Sequence, residues 1–335
     1  MVSTKINLEA RLLILQDWLH ANLLTPMDRL VPLAGDASFR RYFRVYSGQK
    51  TYVAMDAPPE KESCKPFVAI AKTFRQLGLN VPEIFAADLS QGFLLLTDFG
   101  DRLYLDALTP QTCDHLYQRA FDDLLLIQSC QKIEAYALPT FGRALYREEM
   151  SWFRYWYLER YLGVQLSSLE LDLLDYVYAL LIDDALAQPQ ACVHRDYHSR
   201  NLMLVDKNHQ PGILDFQDAV WGPVTYDLLS LLRDCYVDWP PEQVNQWVVH
   251  FQKKAIKAGL FHEEDPRRFL HWFDWVGLQR NLKCIGIFAR LNVRDNKPGY
   301  LQYIPRVIQY AERVCDLYPE LTDLKHLLAK RKEDA

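Results

Sequence analysis

The sequence contains no long apolar run and no run of basic residues. A membrane-spanning helix needs about 20 consecutive apolar residues, and no segment approaches that length, so we expect no transmembrane segment. The apolar stretch near the N-terminus carries Glu9, Arg11 and Asp17, which favours an amphipathic helix over a signal peptide. The net charge of −5 is spread along the chain, which argues against nucleic acid or an anionic membrane as the main partner.

Paired cysteines are also missing. The seven cysteines are scattered, odd in number and free of C-x-x-C pairs. Structural disulfides belong mostly to oxidising compartments, and this pattern does not indicate a disulfide framework. We therefore predict reduced, mostly buried thiols and a cytoplasmic location.

Three polar residues with a fixed spacing stand in the second half of the chain. Asp196 and Asn201 are five residues apart, and Asp215 follows fourteen residues later. This spacing matches the H-R-D-x-x-x-x-N loop and downstream Asp of kinase-type phosphoryl transfer. It predicts that Asp196 accepts the proton of the attacking hydroxyl, while Asn201 and Asp215 hold Mg²⁺ against the phosphates of ATP. Strand-like apolar runs at 202–205 and 212–214 flank the motif, which disfavours the alternative of a purely structural polar turn.

The order of the other elements favours an α+β, protein-kinase-like fold with two lobes. The chain has 335 residues, half of them apolar, which suffices for two lobes and a large core. Residues 1–97 would form a nucleotide-binding lobe, and residues 98–335 a mainly helical lobe with the catalytic loop. Periodicity predicts helices near 4–22 and 63–77, and strands near 29–34, 39–46, 51–55, 84–87 and 93–97.

A short loop between the first two predicted strands, Gly35-Asp36-Ala37-Ser38, is a candidate phosphate loop. Gly35 permits a positive φ, so backbone N–H groups can point at a phosphate. Ser38 adds a hydroxyl donor. An ordinary hairpin turn is the alternative for this stretch taken alone.

The third predicted strand lacks the lysine that grips the phosphates in kinases. Where V-A-I-K is typical, this chain has Val53-Ala54-Met55-Asp56. Arg40, Arg41 and Arg44 on the preceding strand could supply the missing positive charge. Strand alternation places Arg40 and Arg44 on one face and Arg41 on the other. The sequence leaves open which of them reaches the phosphates, and we include Arg44 among the nucleotide-binding residues.

The string Asp98-Phe99-Gly100 spells DFG but precedes the catalytic loop by almost a hundred residues. The metal-binding aspartate must follow that loop on an adjacent strand, as Asp215 does. We therefore assign residues 97–100 to the hinge between the lobes, with Thr97 and Phe99 near the adenine of the nucleotide.

Two features indicate a small-molecule kinase. Only a dozen residues separate Asp215 from Asp227, and no A-P-E follows, so a peptide-docking activation segment is missing. His198, together with the pattern Gly222-Pro223 and Tyr226-Asp227-Leu228, resembles the aminoglycoside phosphotransferase-like family. That resemblance implies that Asp227 braces the catalytic loop, and we expect His194 and His198 to support the same loop.

Longer stretches narrow the resemblance within that family. Residues 35–44, 55–59, 279–283 and 286–290 resemble the anomeric kinases for N-acetylmuramate and N-acetylglucosamine of Gram-negative cell-wall recycling. The resemblance covers nearly the whole chain and implies ATP-dependent phosphorylation of the C1 hydroxyl to the α-1-phosphate. It also implies a partner uridylyltransferase that consumes the product, which bypasses the fosfomycin-sensitive step of de novo synthesis. The missing strand lysine belongs to the pattern of these kinases.

The sugar contacts are less specific in the sequence. Glu149 could accept a hydrogen bond from a sugar hydroxyl, or serve with Glu148 at a helix N-terminus. Arg280 and Lys283 form an i, i+3 basic pair that could meet the carboxylate of muramate, and surface salt bridges are the alternative. Arg147 is a further candidate for the substrate site.

Two other hypotheses remain at the level of the sequence. The chain could phosphorylate another small alcohol, such as an aminoglycoside, choline or homoserine, although its basic residues fit an acidic or neutral sugar better. It could also be a pseudokinase scaffold, as the missing strand lysine suggests. The intact Asp196, Asn201 and Asp215 argue against a scaffold.

Overall fold

A five-stranded antiparallel sheet forms the first part of the computed structural model, which describes residues 8–33, 39–205 and 210–330. The spatial order of its strands is β1-β2-β3-β5-β4. Gly48, with φ of 60°, makes the tight turn between the second and third strands. The strands are β1 (Arg29–Leu33), β2 (Arg41–Ser47), β3 (Lys50–Asp56), β4 (Ile84–Asp88) and β5 (Phe93–Thr97).

The two faces of this sheet pack against different helices, because side chains alternate along each strand. Helix α1 (Leu8–Asn22) covers one face with Leu15 and Leu19, against Phe43 and Ala54. Helix α2 (Lys65–Gln76) covers the other face and joins the main hydrophobic core.

The start and end of α2 follow from local sequence. Pro66 stands at its first turn, where the missing N–H costs nothing. Gly78, with φ of 89°, ends the helix, and Leu79 donates back to the Phe74 carbonyl at 3.0 Å.

The second part of the chain is mainly helical. Its long helix α9 is buried over most of its length and packs against several of the others. The helices are α3 (Tyr104–Ala107), α4 (Cys113–Ser129), α5 (Arg143–Trp152), a π-helix (Phe153–Leu162), α6 (Ser168–Ala187), α7 (Tyr226–Leu232), α8 (Pro241–Lys257), α9 (Pro266–Val293), α10 (Ile304–Leu317) and α11 (Leu324–Ala329), with 3₁₀ turns at Pro298–Tyr303 and Pro319–Leu321.

Helix α9 is positioned by local features at two points. Asp265 caps its N-terminus by accepting from the Arg267 N–H at 2.9 Å, and Pro266 occupies the first turn. Gly286 lies against the junction of α5 and the π-helix, where a Cβ atom would be 2.4 Å from the Trp152 carbonyl carbon. A glycine at this point therefore permits close packing, which brings the polar face of α9 under the catalytic loop.

Two short antiparallel strand pairs frame that loop. Strand β6 (Gln190–Val193) pairs with β9 (Val220–Pro223), and β7 (Leu202–Leu204) pairs with β8 (Pro211–Ile213). The loop 194–201 connects β6 to β7, and Asp215 follows β8 closely. The two pairs thus bring residues distant in sequence to one place.

The predicted helices and strands are confirmed to within a few residues over the described ranges. All seven cysteines are free and buried, as predicted. Within the part of the chain that the structure describes, no helix is long and apolar enough to cross a membrane. The lobe boundary between residues 97 and 98 stays a prediction; the five strands of the first sheet all precede it.

Candidate active site

Asp227 anchors the start of the catalytic loop. Its carboxylate is fully buried at the start of α7 and accepts from the backbone N–H of His194 at 2.6 Å and of Arg195 at 2.9 Å. Burial raises the pKa of Asp227 to about 7, against the lowering effect of these two N–H groups. The contacts agree with the bracing role expected from the sequence.

His194 links the loop to the segment that carries Asp215. Its Nε2 lies 2.9 Å from the Leu214 carbonyl, and its Nδ1 lies 3.3 Å from the Asp196 backbone N–H. Burial lowers the pKa of His194 to about 4, so the ring is neutral at pH 7. Both contacts are satisfied when Nε2 carries the proton and Nδ1 accepts, which fixes the tautomer.

Asp196 and Asn201 face each other across the loop. The Asn201 side-chain amide donates to the Asp196 backbone carbonyl at 2.9 Å. The Asp196 side chain keeps 37% of its surface exposed, so an acceptor hydroxyl can reach it. Burial tends to raise the pKa of Asp196, but nearby positive charges, Lys283 foremost and Arg280 with it, hold that pKa well below its usual range. The carboxylate is therefore ionised and able to accept a proton.

Asp215 adopts a left-handed backbone with φ of 62°, which is uncommon outside glycine. Gln217 Nε2 donates to its Oδ1 at 2.6 Å. Desolvation and the negative charge of Asp196 raise the pKa of Asp215 to about 6. The carboxylates of Asp196 and Asp215 repel each other, and the side-chain amide of Asn201 is held in place by the Asp196 carbonyl. Oxygen donors of this kind suit a hard cation.

This donor set fits Mg²⁺, which is usually held by one or two carboxylates together with substrate phosphates. Over the described ranges, no group of three or more His, Cys, Asp or Glu side chains could hold a metal ion. Asn201 and Asp215 would therefore share the ion with a nucleotide.

Asp234 anchors the other end of the loop, and the sequence analysis missed it. It is fully buried, and its Oδ2 accepts from the Ser199 backbone N–H at 3.0 Å and the Ser199 hydroxyl at 2.5 Å. Its Oδ1 accepts from the Tyr236 N–H at 3.0 Å. The signal that could have found it is a second aspartate seven residues after Asp227, beyond an apolar helical turn.

His198 lies beside this second anchor. Its ring packs edge-on against Tyr236, with centroids 5.6 Å apart. Burial lowers the pKa of His198, so the neutral ring is favoured. The supporting role expected for His198 stays a prediction.

Glu149 lies in a buried cluster of charges beneath the loop. Arg195 Nη2 donates to its Oε1 at 2.5 Å, Lys283 Nζ lies 3.3 Å from the same oxygen, and Gln279 Nε2 donates to Oε2 at 3.1 Å. The side chain is fully buried. The helix-terminus role that the sequence left open is wrong, because α5 begins at Arg143 and Glu149 is not in its first turn. Protein groups engage both carboxylate oxygens of Glu149, which favours a positioning role over contact with a sugar hydroxyl.

The two other substrate candidates are in different places. Arg280 is only 4% exposed and directs Nη2 toward Asp196, 4.0 Å from Oδ1. Arg147 is 54% exposed and donates to Asp175 on the surface at 2.9 Å. The structure thus brings Arg280 close to Asp196 and leaves Arg147 exposed and paired with Asp175.

The predicted hinge residues tie the sheet to the rest of the chain. Arg44 Nε lies 2.7 Å from Asp98, and its Nη1 donates to Asp101 at 2.8 Å. Thr97 accepts from the Glu83 backbone N–H at 3.0 Å. Phe99 packs against Gly212, where a Cβ atom would lie 2.7 Å from the ring. The Gly35 and Ser38 predictions lie outside the described residues.

Asp56, at the position of the missing lysine, points away from the nucleotide face. It is fully buried and accepts from Arg41 Nε at 3.0 Å and from Arg11 Nε of α1 at 3.1 Å. Arg40 lies with Tyr42 on the opposite face, where its Nε is 2.8 Å from Glu62. Its positive charge also opposes the raised pKa of Asp215. Of the three arginines, Arg40, just before β2, is therefore the one whose positive charge bears on Asp215.

The chain is similar to known proteins over most of its length. The profile of the phosphotransferase enzyme family matches residues 29–268. The chain is 45% identical over 310 residues to the N-acetylmuramate/N-acetylglucosamine kinase of Pseudomonas aeruginosa, covering 92% of this chain and 90% of that protein. It is 38% identical to the protein of the same name from Neisseria meningitidis, covering 94% of each.

A solved structure shows the same fold. An ADP-bound aminoglycoside phosphotransferase superimposes with a TM-score of 0.61 at 16% identity, over 89% of this chain and 98% of that one. The predicted α+β, aminoglycoside phosphotransferase-like fold is thereby confirmed.

Proposed function

This chain belongs to the phosphotransferase enzyme family, and from that membership we propose that it transfers the γ-phosphoryl group of ATP to N-acetylmuramate and N-acetylglucosamine. The observation that carries the proposal is the 45% identity to a kinase named for these two sugars, over 92% of the chain. The intact set of Asp196, Asn201 and Asp215 around one loop supports activity in this chain.

The acceptor that we propose is the anomeric C1 hydroxyl, and the product is the α-1-phosphate. A hemiacetal hydroxyl is more acidic than an ordinary alcohol, so a weak base can assist its attack. Asp196 is such a base, because neighbouring cations hold its pKa well below the usual range. Its partly exposed carboxylate leaves access for a sugar ring.

We assign the remaining roles as follows. Asp196 accepts the proton of the sugar hydroxyl, and Asn201 and Asp215 are the residues that would hold Mg²⁺. That ion, when bound, would neutralise charge that develops on the transferred phosphoryl group. Asp227 and His194 keep the loop in the geometry that aims Asp196 at the acceptor and Asn201 at the metal.

The nucleotide would lie between the sheet and the catalytic loop. Thr97 and Phe99 are our candidates for the adenine end, and Gly35 and Ser38 for the phosphate end. Arg44 would act by fixing the hinge, because Asp98 and Asp101 already engage its guanidinium.

The proposed reaction also suggests a place in the cell. We propose a cytoplasmic enzyme of peptidoglycan recycling, whose sugar α-1-phosphate is consumed by a uridylyltransferase. Such a route would bypass the fosfomycin-sensitive step of de novo synthesis.

Phosphorus-31 NMR of the protein with ATP, Mg²⁺ and each sugar tests the proposal, because an anomeric phosphate is spectroscopically distinct. We expect an anomeric phosphate signal with both sugars and none with their methyl glycosides, in which the C1 hydroxyl is blocked. Undiminished phosphorylation of a methyl glycoside would move the reaction to another hydroxyl. Turnover of choline or an aminoglycoside, with none of the two sugars, would replace the proposed substrate class.

A further inference from the structure

The buried cations beneath the catalytic loop are not equally paired. Three cations, Arg195, Arg280 and Lys283, share this region with two carboxylates, Glu149 and Asp196. All three are more than four-fifths buried. The buried carboxylates of Asp227 and Asp234 anchor the same loop through backbone N–H groups, so the three cations are distinguished here by the distance to their nearest carboxylate oxygen.

Two of the three cations have a carboxylate oxygen at close range. Glu149 pairs with Arg195 at 2.5 Å and with Lys283 at 3.3 Å. Lys283 Nζ also donates to the Tyr226 hydroxyl at 3.3 Å. These two cations thus share one carboxylate and one hydroxyl at hydrogen-bonding distance.

Arg280 has no comparable partner among the described residues. Its nearest carboxylate oxygen, on Asp196, is 4.0 Å away, and its Nη1 donates only to the Cys235 sulfur at 3.9 Å. Its Nε is buried without a hydrogen-bond partner. A guanidinium that is 4% exposed loses most of its hydration, and this loss is recovered only when the charge is paired.

The position of Arg280 indicates what would pair with it. Its fork of N–H donors matches the two oxygens of a carboxylate, and it lies beside the base that meets the acceptor. The two proposed sugars differ in this respect, because N-acetylmuramate carries a carboxylate on a flexible lactyl ether and N-acetylglucosamine has none. The ether allows the carboxylate to approach a cation near Asp196 while the C1 hydroxyl stays at the base.

We propose that Arg280 is a specificity-determining residue that binds the carboxylate of an acidic sugar and thereby favours N-acetylmuramate over N-acetylglucosamine. This inference rests on the proposed sugar kinase activity. The two cations of α9 then have different roles: Arg280 binds the substrate carboxylate, and Lys283 pairs with Glu149.

The test compares kcat/KM for both sugars in wild-type protein and in Arg280→Gln. We expect the ratio of N-acetylmuramate to N-acetylglucosamine to fall about 10- to 100-fold, as for the loss of a charge-assisted hydrogen bond. Arg280→Lys should restore part of the ratio, since it keeps the charge without the fork. Arg267→Gln, on the same helix but 92% exposed, is the matched control and should leave the ratio unchanged.

An equal loss on both sugars in Arg280→Gln would show that Arg280 acts through Asp196 alone, and would overturn the inference. A substrate-side comparison is independent of whether the variant folds. Wild-type protein should use N-acetylmuramate about 10- to 100-fold better than its neutral carboxamide, and equal use of the two would also overturn it. Failure of the wild type to phosphorylate either sugar would instead remove the proposed function itself.

Discussion

The arginines of β2 and Arg280 of α9 are all largely buried charges, but they differ in how closely a carboxylate of the chain approaches them. At the nucleotide end, Arg41 bonds to Asp56, and Arg44 approaches Asp98 to 2.7 Å. At the acceptor end, Arg280 is more deeply buried, yet its nearest carboxylate oxygen is 4.0 Å away. Where the chain supplies the counter-charge, the arginine holds structure together. Where it supplies none at contact distance, the counter-charge is left for a substrate.

The same comparison explains the missing strand lysine. Asp56 stands in place of the lysine. It pairs with Arg11 of α1 and Arg41 of β2, on the face of the sheet that α1 covers. The nucleotide face keeps Arg40, whose charge reaches Asp215. In the proposed site, Arg40 would supply positive charge near the phosphates, which makes Asp56 compatible with activity.

The largest effect should come from Asp215, and Asp98, the other aspartate followed by phenylalanine and Gly or Gln, is its matched comparison. Asp215→Ala should reduce activity by more than about 10³-fold, because metal neutralisation of phosphoryl charge is worth several kcal/mol. Asp98→Ala should be far milder, since Asp98 holds Arg44 and the hinge. Mg²⁺-dependent nucleotide binding, followed by calorimetry, distinguishes them. Loss of that binding in Asp98→Ala alone would invert the assignment of the two regions.

Asp196→Asn should lower kcat by about 10² to 10⁴, the range for a positioned general base. ATP affinity should be retained, because the side chain faces the acceptor. Steady-state kinetics and direct ATP binding measure the two quantities. A variant with near wild-type turnover would remove Asp196 from the mechanism.

Asp56→Ala should lower the free energy of unfolding by about 3 kcal/mol, as for a buried ion pair that loses one partner. The estimate is at the low end of the usual range because both arginines keep some solvent contact. Chemical denaturation measures the loss, and kcat at low temperature should change much less. A large kcat defect in a protein of normal stability would place Asp56 with the functional charges instead.

Asp234→Asn should raise the Mg²⁺ concentration for half-maximal activity by about 10-fold, the lower end of the range for groups that orient metal ligands. Asp234 holds Ser199, two residues before Asn201, and so fixes the metal end of the loop. The KM for the sugar should change little. Ser199→Ala, which keeps the backbone contact, should show a smaller shift, and an unchanged Mg²⁺ dependence in both would refute the assignment.

Arg147→Gln should have the smallest effect, within about 1 kcal/mol of wild type in stability, as for an exposed ion pair. The pair with Asp175 is more than half exposed on both sides. Kinetics with both sugars should also be nearly unchanged. A selective loss for N-acetylmuramate would return Arg147 to the substrate site and weaken the distinction drawn for Arg280.

The sequence by itself determined the fold family and the residues of the loop. Asp196 and Asn201 are five residues apart, so one turn sets their relation, and the alternation of β2 placed Arg41 opposite Arg40 and Arg44. Local periodicity and spacing decide such features. Gly35 and Ser38, by contrast, stay predictions because they lie outside the described residues.

Only the tertiary structure decided which charges are paired. Glu149 meets Gln279 across 130 residues of chain, and Ser199 meets Asp234 across 35. No local pattern encodes such contacts, because helix packing determines which side chains come within hydrogen-bonding distance. The burial of Glu149, the anchoring role of Asp234 and the 4.0 Å separation of Arg280 from Asp196 all follow from how α5, α7 and α9 pack beneath the loop.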